Sequence, residues 1–266
     1  MTPWARCALF VVLNLGTSQV FAQNPNLRSD PQATAILQQA IAQLGGQAAW
    51  GKVADIAILG SCASQGSTEK SADSSQIHWV QAGKEFRYDA TDSGQTATFV
   101  SGHGHPARTE GQNAVAWSRA ASEAQEPYFA PALMLFRELN SERYVLEFLG
   151  STTLSSSTQS VIHVRVARIE RGRHLRRATQ DWYFDALTSL PVQVQYGAPG
   201  ESSSDTQAQV TMAFSGYTTS QGLVMPQAFS IDVSSVALSA CTVTSTAINT
   251  SPPSSNFDLA VTGGAQ

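Results

Sequence analysis

The feature that most constrains this chain is a hairpin pattern, which is clearest in residues 181–196, DWYFDALTSLPVQVQY. Two apolar, aromatic-rich runs flank the small polar link DALTS, and in the second run Val192, Val194 and Tyr196 alternate with glutamines. A period of two is typical of a strand with one apolar face and one polar face. Pro191 suits the start of that strand, where no ladder donor is needed. The segment therefore predicts an antiparallel β-hairpin.

The alternating pattern recurs through most of the chain. It is seen in runs such as DIAILGSCAS, QIHWVQAG, KEFRYDA, SVIHVRVARI and AQVTMAFSGYT. Together these runs predict about ten or eleven antiparallel strands in up-and-down order, with no internal repeat and no long linker. One domain is therefore expected across residues 31–260.

Two helices are predicted beside the strands. The first follows a cap at Asp30 and ends at two glycines. Its apolar stripe consists of Ile36, Leu37, Ala40, Ile41 and Leu44. The second lies in the middle of the chain, in YFAPALMLFREL. A sheet this wide must curl, and the helices are available to cover its concave side. The predicted fold class is therefore mainly β: a single curved antiparallel sheet that forms an unclosed half-barrel, with helices covering the concave face.

The N-terminus has the pattern of an export signal. One arginine precedes a short apolar run. The segment ends in Val-Phe-Ala, which places small or apolar residues at the positions that signal peptidase recognises. We predict that residues 1–22 are a signal peptide cleaved after Ala22, that residues 23–30 are a flexible lead and that residues 261–266 are a flexible tail. The mature protein is then expected in the periplasm or outside the cell, as a soluble monomer.

Composition and missing motifs narrow the class of function. Only 14% of the residues are charged and the formal net charge is −4, so a nucleic-acid partner is not favoured. The sequence contains no G-x-S-x-G nucleophile elbow and no glycine-rich phosphate loop. We therefore predict no catalytic residues and no cofactor, and we expect a protein that is not an enzyme.

Two cysteines remain after the predicted signal peptide, Cys62 and Cys241. They lie near opposite ends of the chain, on the runs predicted as the first and last strands. In an oxidising compartment they can pair, and a bridge would then tie the ends of the sheet together. The alternative is that each is a separate small buried hydrophobe.

The segment SGHGHPAR is a candidate metal site, because imidazoles two residues apart can bind zinc when a further ligand is present. His78 or His163 could supply that ligand. His103 and His105, however, lie among glycines and a proline, which are typical of a solvated turn. We therefore predict no metal site.

Several segments, taken in order, resemble one known family. An amphipathic helix ending in LGG precedes the first strand. IHWVQAGKEFRYDA resembles the family's aromatic strand, short basic turn and aromatic-and-basic strand, while FVSGHG and PALMLFREL lie where the family has a glycine turn and a mid-chain helix. WYFDALTSLPVQVQY resembles its D-x-x-T-x-LP hairpin, YTTSQGLVMPQAFSI its G-L-x-x-P entry to a late strand, and INTSPPSSNFDL its closing segment with a buried Phe. The chain thus resembles the bacterial periplasmic lipoprotein-carrier superfamily (LolA/LolB-like), as a divergent member.

The resemblance implies an apolar cavity between sheet and helices and no catalytic residues, since members of this fold carry acylated lipoproteins, hold lipids or act as envelope-stress sensors. We predict an exported protein that binds a lipid or a lipoprotein acyl chain, with the helices acting as a lid. The alternative is a non-enzymatic sensing or scaffold module that binds an envelope protein through the same fold. The side chains expected to line the cavity are Trp79, Phe86, Trp117, Phe129, Leu133, Met134, Phe136, Phe214 and Phe229. For each of them, an ordinary filled core is the other interpretation.

Overall fold

The computed structural model describes residues 29–64, 74–83, 85–102, 105–110, 113–116, 132, 135–136, 139–140, 144–154, 157–170, 173–198 and 208–260. The predicted signal peptide and the predicted tail lie outside these residues, as does most of the predicted lead.

The first helix, α1 (Pro31–Gln43), forms where its apolar stripe and its cap predict. The side chain of Asp30 accepts a hydrogen bond from the backbone N–H of Gln32 at 2.7 Å, which satisfies one of the free donors of the first turn. Beyond its end, Gly45 has a φ of 119°, a conformation that side chains other than glycine rarely adopt. The short helix α2 (Gln47–Trp50) follows.

A helical segment also occurs in the middle of the chain, where a second helix was predicted. Ala132, Leu135, Phe136 and Leu139 are helical, and residues three and four apart lie on one face of a helix. Ala132 and Leu135 are buried in the same cluster as the apolar stripe of α1. The other residues of the predicted helix lie outside those the structure describes.

The strands occupy most of the remaining described residues. They are β1 (Asp55–Ser64), β2 (Ser74–Ala82), β3 (Glu85–Asp92), β4 (Gln95–Gly102), β5 (His105–Glu110), β6 (Asn113–Ala116), β7 (Tyr144–Thr153), β8 (Ser160–Glu170), β9 (Arg173–Asp185), β10 (Pro191–Ala198), β11 (Ala208–Ser215), β12 (Thr218–Ser220), β13 (Leu223–Met225), β14 (Ala228–Val233) and β15 (Val236–Ile248). A 3-10 turn, η1 (Ser254–Phe257), follows.

One antiparallel sheet of 13 strands has the order β6-β5-β4-β3-β2-β1-β15-β14-β11-β10-β9-β8-β7, and β12 and β13 form a separate hairpin. The sheet is not closed into a barrel. The predicted fold class, a mainly β unclosed half-barrel, is therefore confirmed.

The strand order corrects the predicted up-and-down arrangement. β1 pairs with both β2 and β15, so the first and last strands lie side by side in the interior of the sheet. β6 and β7, which are consecutive in the chain, form its two edges instead. The sheet thus consists of two meanders that join where β15 fills the second hydrogen-bonding side of β1. The number of strands is also higher than predicted, because short strands such as β12 and β13 carry too few residues to show alternation.

Cys62 on β1 and Cys241 on β15 are direct cross-strand partners and are joined by a disulfide. The two residues are 179 positions apart in the chain, and both side chains are buried. The bond therefore ties the two ends of the chain together in the middle of the sheet. The expectation that a bridge would join the ends of the sheet is wrong, because β1 and β15 are neighbouring interior strands rather than edges.

Hydrogen bonds and side-chain packing hold the C-terminal residues against the sheet. Asp55, buried at the start of β1, accepts hydrogen bonds from the backbone N–H groups of Thr250 at 2.7 Å and Ser251 at 3.0 Å. Further along, Phe257 in η1 is buried against Gly102 at the end of β4. A Cβ at Gly102 would lie 2.7 Å from the Cβ of Phe257, closer than real Cβ atoms approach, so this position requires glycine.

Candidate ligand-binding face

Side chains of each strand point alternately to the two faces of the sheet, and one face carries the apolar set. On β11, Val210, Met212 and Phe214 are buried, while the residues between them are only half-buried. These three residues belong to one buried cluster that also contains Leu37 and Ile41 of α1. The face of the sheet that contributes to this cluster, the concave face, is called the helix-side face below.

Across β1, β2 and β3 the helix-side face is built from cross-strand rows of side chains. Two neighbouring rows are Ile56–Gln81–Phe86 and Ile58–Trp79–Tyr88. Residues two apart in a strand lie about 6.5–7 Å apart on the same face, so the rows are close enough for large side chains to touch. All of these side chains are apolar or aromatic except that of Gln81.

Aromatic rings pack against each other at this end of the face. The Trp79 ring lies 5.2 Å from that of Phe86, nearly parallel to it, and 5.4 Å from that of Tyr88. Tyr88 in turn lies 6.0 Å from Phe99 of β4. Burial raises the pKa of Tyr88 above its ordinary value. The rings therefore form a continuous apolar surface over β2, β3 and β4.

A second aromatic group lies on β9 and β11. Trp182 is centred 6.4 Å from Phe184 and 6.2 Å from Phe214, and all three rings are nearly parallel. The Trp182 indole nitrogen donates a hydrogen bond to the Gln180 side-chain oxygen at 2.8 Å, which satisfies two buried polar groups at once. Trp182 and Phe184 were not among the predicted lining residues. The signal that could have found them is their spacing of two within the DWYFD run.

The structure places part of the predicted lining set together. Trp79, Phe86, Phe214 and Phe229 are buried in one cluster with α1, and Phe136 packs against that cluster. The predicted lining residues outside the described part of the chain are Trp117, Phe129, Leu133 and Met134. The four strand residues therefore share one face of the sheet, Phe136 packs against them from the helical segment, and their role in lining a cavity stays a prediction.

Hydrogen bonds join one end of α1 to the sheet and the other end to the β12–β13 hairpin. At the N-terminal end, the backbone N–H of Asp30 donates to the Leu146 carbonyl at 2.8 Å, and the Leu146 N–H donates to the Ser29 hydroxyl at 3.2 Å. At the other end, the Leu44 carbonyl accepts a hydrogen bond from the Val224 N–H at 2.9 Å. The helix thus reaches from the edge strand β7 to the β12–β13 hairpin. These bonds join α1 to β7 and to the β12–β13 hairpin, and the action of the helices as a lid stays a prediction.

The opposite face carries a group of interacting polar side chains. Asp181 accepts a hydrogen bond from Arg165 Nε at 2.9 Å and lies 3.0 Å from His163 Nε2, while the His163 ring stacks on Tyr183. Burial alone would raise the pKa of Asp181, but the hydrogen bonds from His163 and Arg165 outweigh it and hold the pKa below its ordinary value. Sequence reasoning did not group these residues because they lie on two strands, β8 and β9.

The described histidines that were candidate metal ligands, His78, His105 and His163, lie on three separate strands. Among the described residues, no group of three or more His, Cys, Asp or Glu side chains is placed to hold a metal ion. His105 is exposed at the start of β5, next to one edge strand of the sheet, whereas His163 lies on β8, next to the other edge strand; His103 lies outside the described residues. In the same part of the chain, no helix is both long enough and apolar enough to span a membrane.

Solved structures share this architecture. A domain from Vibrio parahaemolyticus, whose name refers to outer membrane lipoprotein sorting, has a TM-score of 0.52 at 12% identity, covering 85% of this chain and 96% of its own. A LolA superfamily protein from Nitrosomonas europaea has a TM-score of 0.53 at 11% identity, covering 85% and 97%. A DUF1329 family protein from Desulfovibrio piger has a TM-score of 0.53 at 9% identity, covering 86% and 98%. No protein-family model matches the sequence, and no curated protein matches it significantly.

At identities this low, the similarity concerns the fold. Together with the open sheet and its helix-side face, it defines a class of protein: an antiparallel half-barrel whose concave face is covered by helices. This is the LolA-like fold. The resemblance predicted from the order of the sequence motifs is confirmed at the level of the fold.

Proposed function

We propose that this chain is an exported protein of the bacterial envelope that binds the acyl chain of a lipid or of a lipoprotein between its sheet and its helices. Its action would be to shield the acyl chain from water, without catalysis. The LolA-like fold supports a carrier or binding role in general. The pattern of residues 1–22 supports export, with cleavage after Ala22.

The observation that carries this proposal is the continuity of the helix-side face. One buried cluster extends from Trp79 and Phe86 on β2 and β3, through Phe229 on β14, to Phe214 on β11 and Trp182 on β9. Burying apolar surface stabilises a complex by about 0.8 kcal/mol per methylene, so ten methylenes contribute roughly 8 kcal/mol before the costs of ordering. That gross figure corresponds to about micromolar affinity.

Lipid extraction from natively purified protein tests the proposal. The full chain is produced in a bacterial host and recovered from the periplasm, and its bound lipid is quantified by mass spectrometry. We expect about one acyl lipid per chain, since one continuous face can bury one such ligand. The intact mass of the same sample reports whether cleavage follows Ala22.

A matched pair of variants places the bound lipid. Phe136→Glu sets a carboxylate against the buried cluster and should lower the bound lipid at least tenfold, because a buried charge without a partner opposes burial of a hydrocarbon. Leu187→Glu makes the same kind of change at the β9–β10 turn, where Leu187 is 93% exposed, and should leave the lipid content unchanged. Wild-type protein that contains no lipid and also fails to bind a fluorescent fatty acid would contradict the proposal.

The packing of the aromatic side chains favours a second candidate function. Trp79 is 3% exposed and lies against Phe86 and Tyr88, so part of the helix-side face is occupied by the chain's own side chains. A face filled in this way supports a sensing or scaffold module that binds an envelope protein through the same fold. This candidate predicts purified protein without lipid, whose melting temperature does not change when acyl ligands are added.

A further inference from the structure

The polar side chains buried within the apolar helix-side face include that of Gln81. Gln81 of β2 is 2% exposed and lies between Ile56 of β1 and Phe86 of β3 in a cross-strand row. Its amide nitrogen donates to the Gly83 carbonyl in the β2–β3 turn at 3.4 Å. Within the part of the chain that the structure describes, its buried side-chain oxygen accepts no hydrogen bond.

A buried carbonyl oxygen that accepts no hydrogen bond destabilises a protein, and such groups are rare in native structures. The same face shows how the chain satisfies a comparable group, because buried Gln180 accepts a hydrogen bond from Trp182. Rotating the Gln81 amide by 180° offers no remedy, since it would turn the oxygen towards the Gly83 carbonyl. The Gln81 oxygen is therefore a buried acceptor without a donor among the described residues.

We infer that Gln81 is the polar contact of the acyl-binding face, and that its ligand carries a neutral hydrogen-bond donor, an amide N–H or a hydroxyl, close to the β2–β3 turn. This inference rests on the proposed function. The neighbouring row, Ile58–Trp79–Tyr88, lies about 7 Å away and supplies the apolar surface for the hydrocarbon. An ionised fatty acid fits less well, because its carboxylate has no donor and would face the negative end of an amide dipole.

Two matched pairs of ligands test for the donor. N-dodecylacetamide and dodecyl acetate differ only in an N–H that replaces an ester oxygen, and methyl 3-hydroxydodecanoate and methyl dodecanoate differ only in one hydroxyl. Affinities are measured on the delipidated mature protein by displacement of a fluorescent fatty acid. Wild-type protein should bind the donor-bearing member of one pair about tenfold more tightly. The pair that shows the preference tells whether the donor is an amide or a hydroxyl.

Three variants assign that preference to Gln81. Gln81→Leu removes the acceptor with little change in volume and should bind both members of each pair equally, and Gln81→Met serves as a second form of the same change. Gln193→Leu is the matched control, since Gln193 is also buried but alternates with the cluster residue Val194 and so lies on the opposite face. It should keep the wild-type preference. The melting temperature of Gln81→Leu should not fall, because an unsatisfied acceptor has been removed.

Equal wild-type affinities within both pairs would overturn the inference and leave acyl binding intact. A preference that survives both Gln81 substitutions would also overturn it, because another group would then be the acceptor. If the wild-type protein binds none of the four ligands, acyl binding itself fails and the role of Gln81 fails with it.

Discussion

Replacing Cys62 and Cys241 by alanine is expected to remove a large part of the stability of this protein. The disulfide closes a loop of 179 residues, which it constrains in the unfolded chain. The loop-closure relation gives about 5 kcal/mol at 25 °C for a loop of this length, at the upper end of the measured range. In the native state β1 and β15 remain paired through their backbone hydrogen bonds, so the fold should persist while its free energy of unfolding falls.

Urea unfolding followed by circular dichroism measures this loss. With an m-value of about 3 kcal/mol/M, the midpoint should fall by roughly 1.7 M in the double variant. Each single alanine variant should lose about as much as the double variant, because either substitution removes the same bond. Wild-type protein unfolded in the presence of a reducing agent should match the variants.

A loss below about 1 kcal/mol would refute this reasoning. It would mean that β1 and β15 stay close in the unfolded state, so that the bond removes little entropy from the unfolded chain. Single variants that differ strongly from the double variant would show instead that packing of the two buried side chains, rather than the cross-link, dominates the effect.

Three further predictions concern the ends of the strands and the face opposite the helices. Gly102→Ala should lower the free energy of unfolding, measured in urea, by about 1–3 kcal/mol, because the added methyl group meets the backbone of Phe257. It should also speed amide hydrogen exchange around Phe257, and unchanged exchange would contradict the close packing. Asp55→Ala should lower the free energy of unfolding by about 3 kcal/mol or more, because two backbone N–H groups at the C-terminal turn lose their acceptor. A decrease of less than about 1 kcal/mol would show that water replaces the carboxylate. Folding lowers the pKa of Asp181, so its contribution to stability is present above the ordinary aspartate pKa of about 4 and is lost as the pH falls through the lower folded pKa. Asp181→Asn should therefore reduce the loss of stability on acidification. Identical pH profiles of the variant and the wild-type protein would refute this prediction.

The sequence by itself determined the elements and their faces. Alternation within runs such as DWYFD and PVQVQY depends only on neighbouring positions, and so does the helical stripe behind the Asp30 cap. These local patterns predicted a mainly β half-barrel with helices on one face, and they selected Trp79, Phe86, Phe214 and Phe229, which do lie together. They also missed Trp182 and Phe184, which show the same alternation and would have been found by applying the rule to every strand.

Only the tertiary structure decided which strands are neighbours. The pairing of β1 with β15, and hence the position of the disulfide in the middle of the sheet, joins residues 179 positions apart, and alternation carries no information about a partner so distant. The same holds for the contact of Phe257 with Gly102, and for the setting of Gln81, whose sequence context resembles that of any strand glutamine. A period of two tells which way a side chain points relative to its own strand, whereas its partners depend on which strands the folded sheet places beside it.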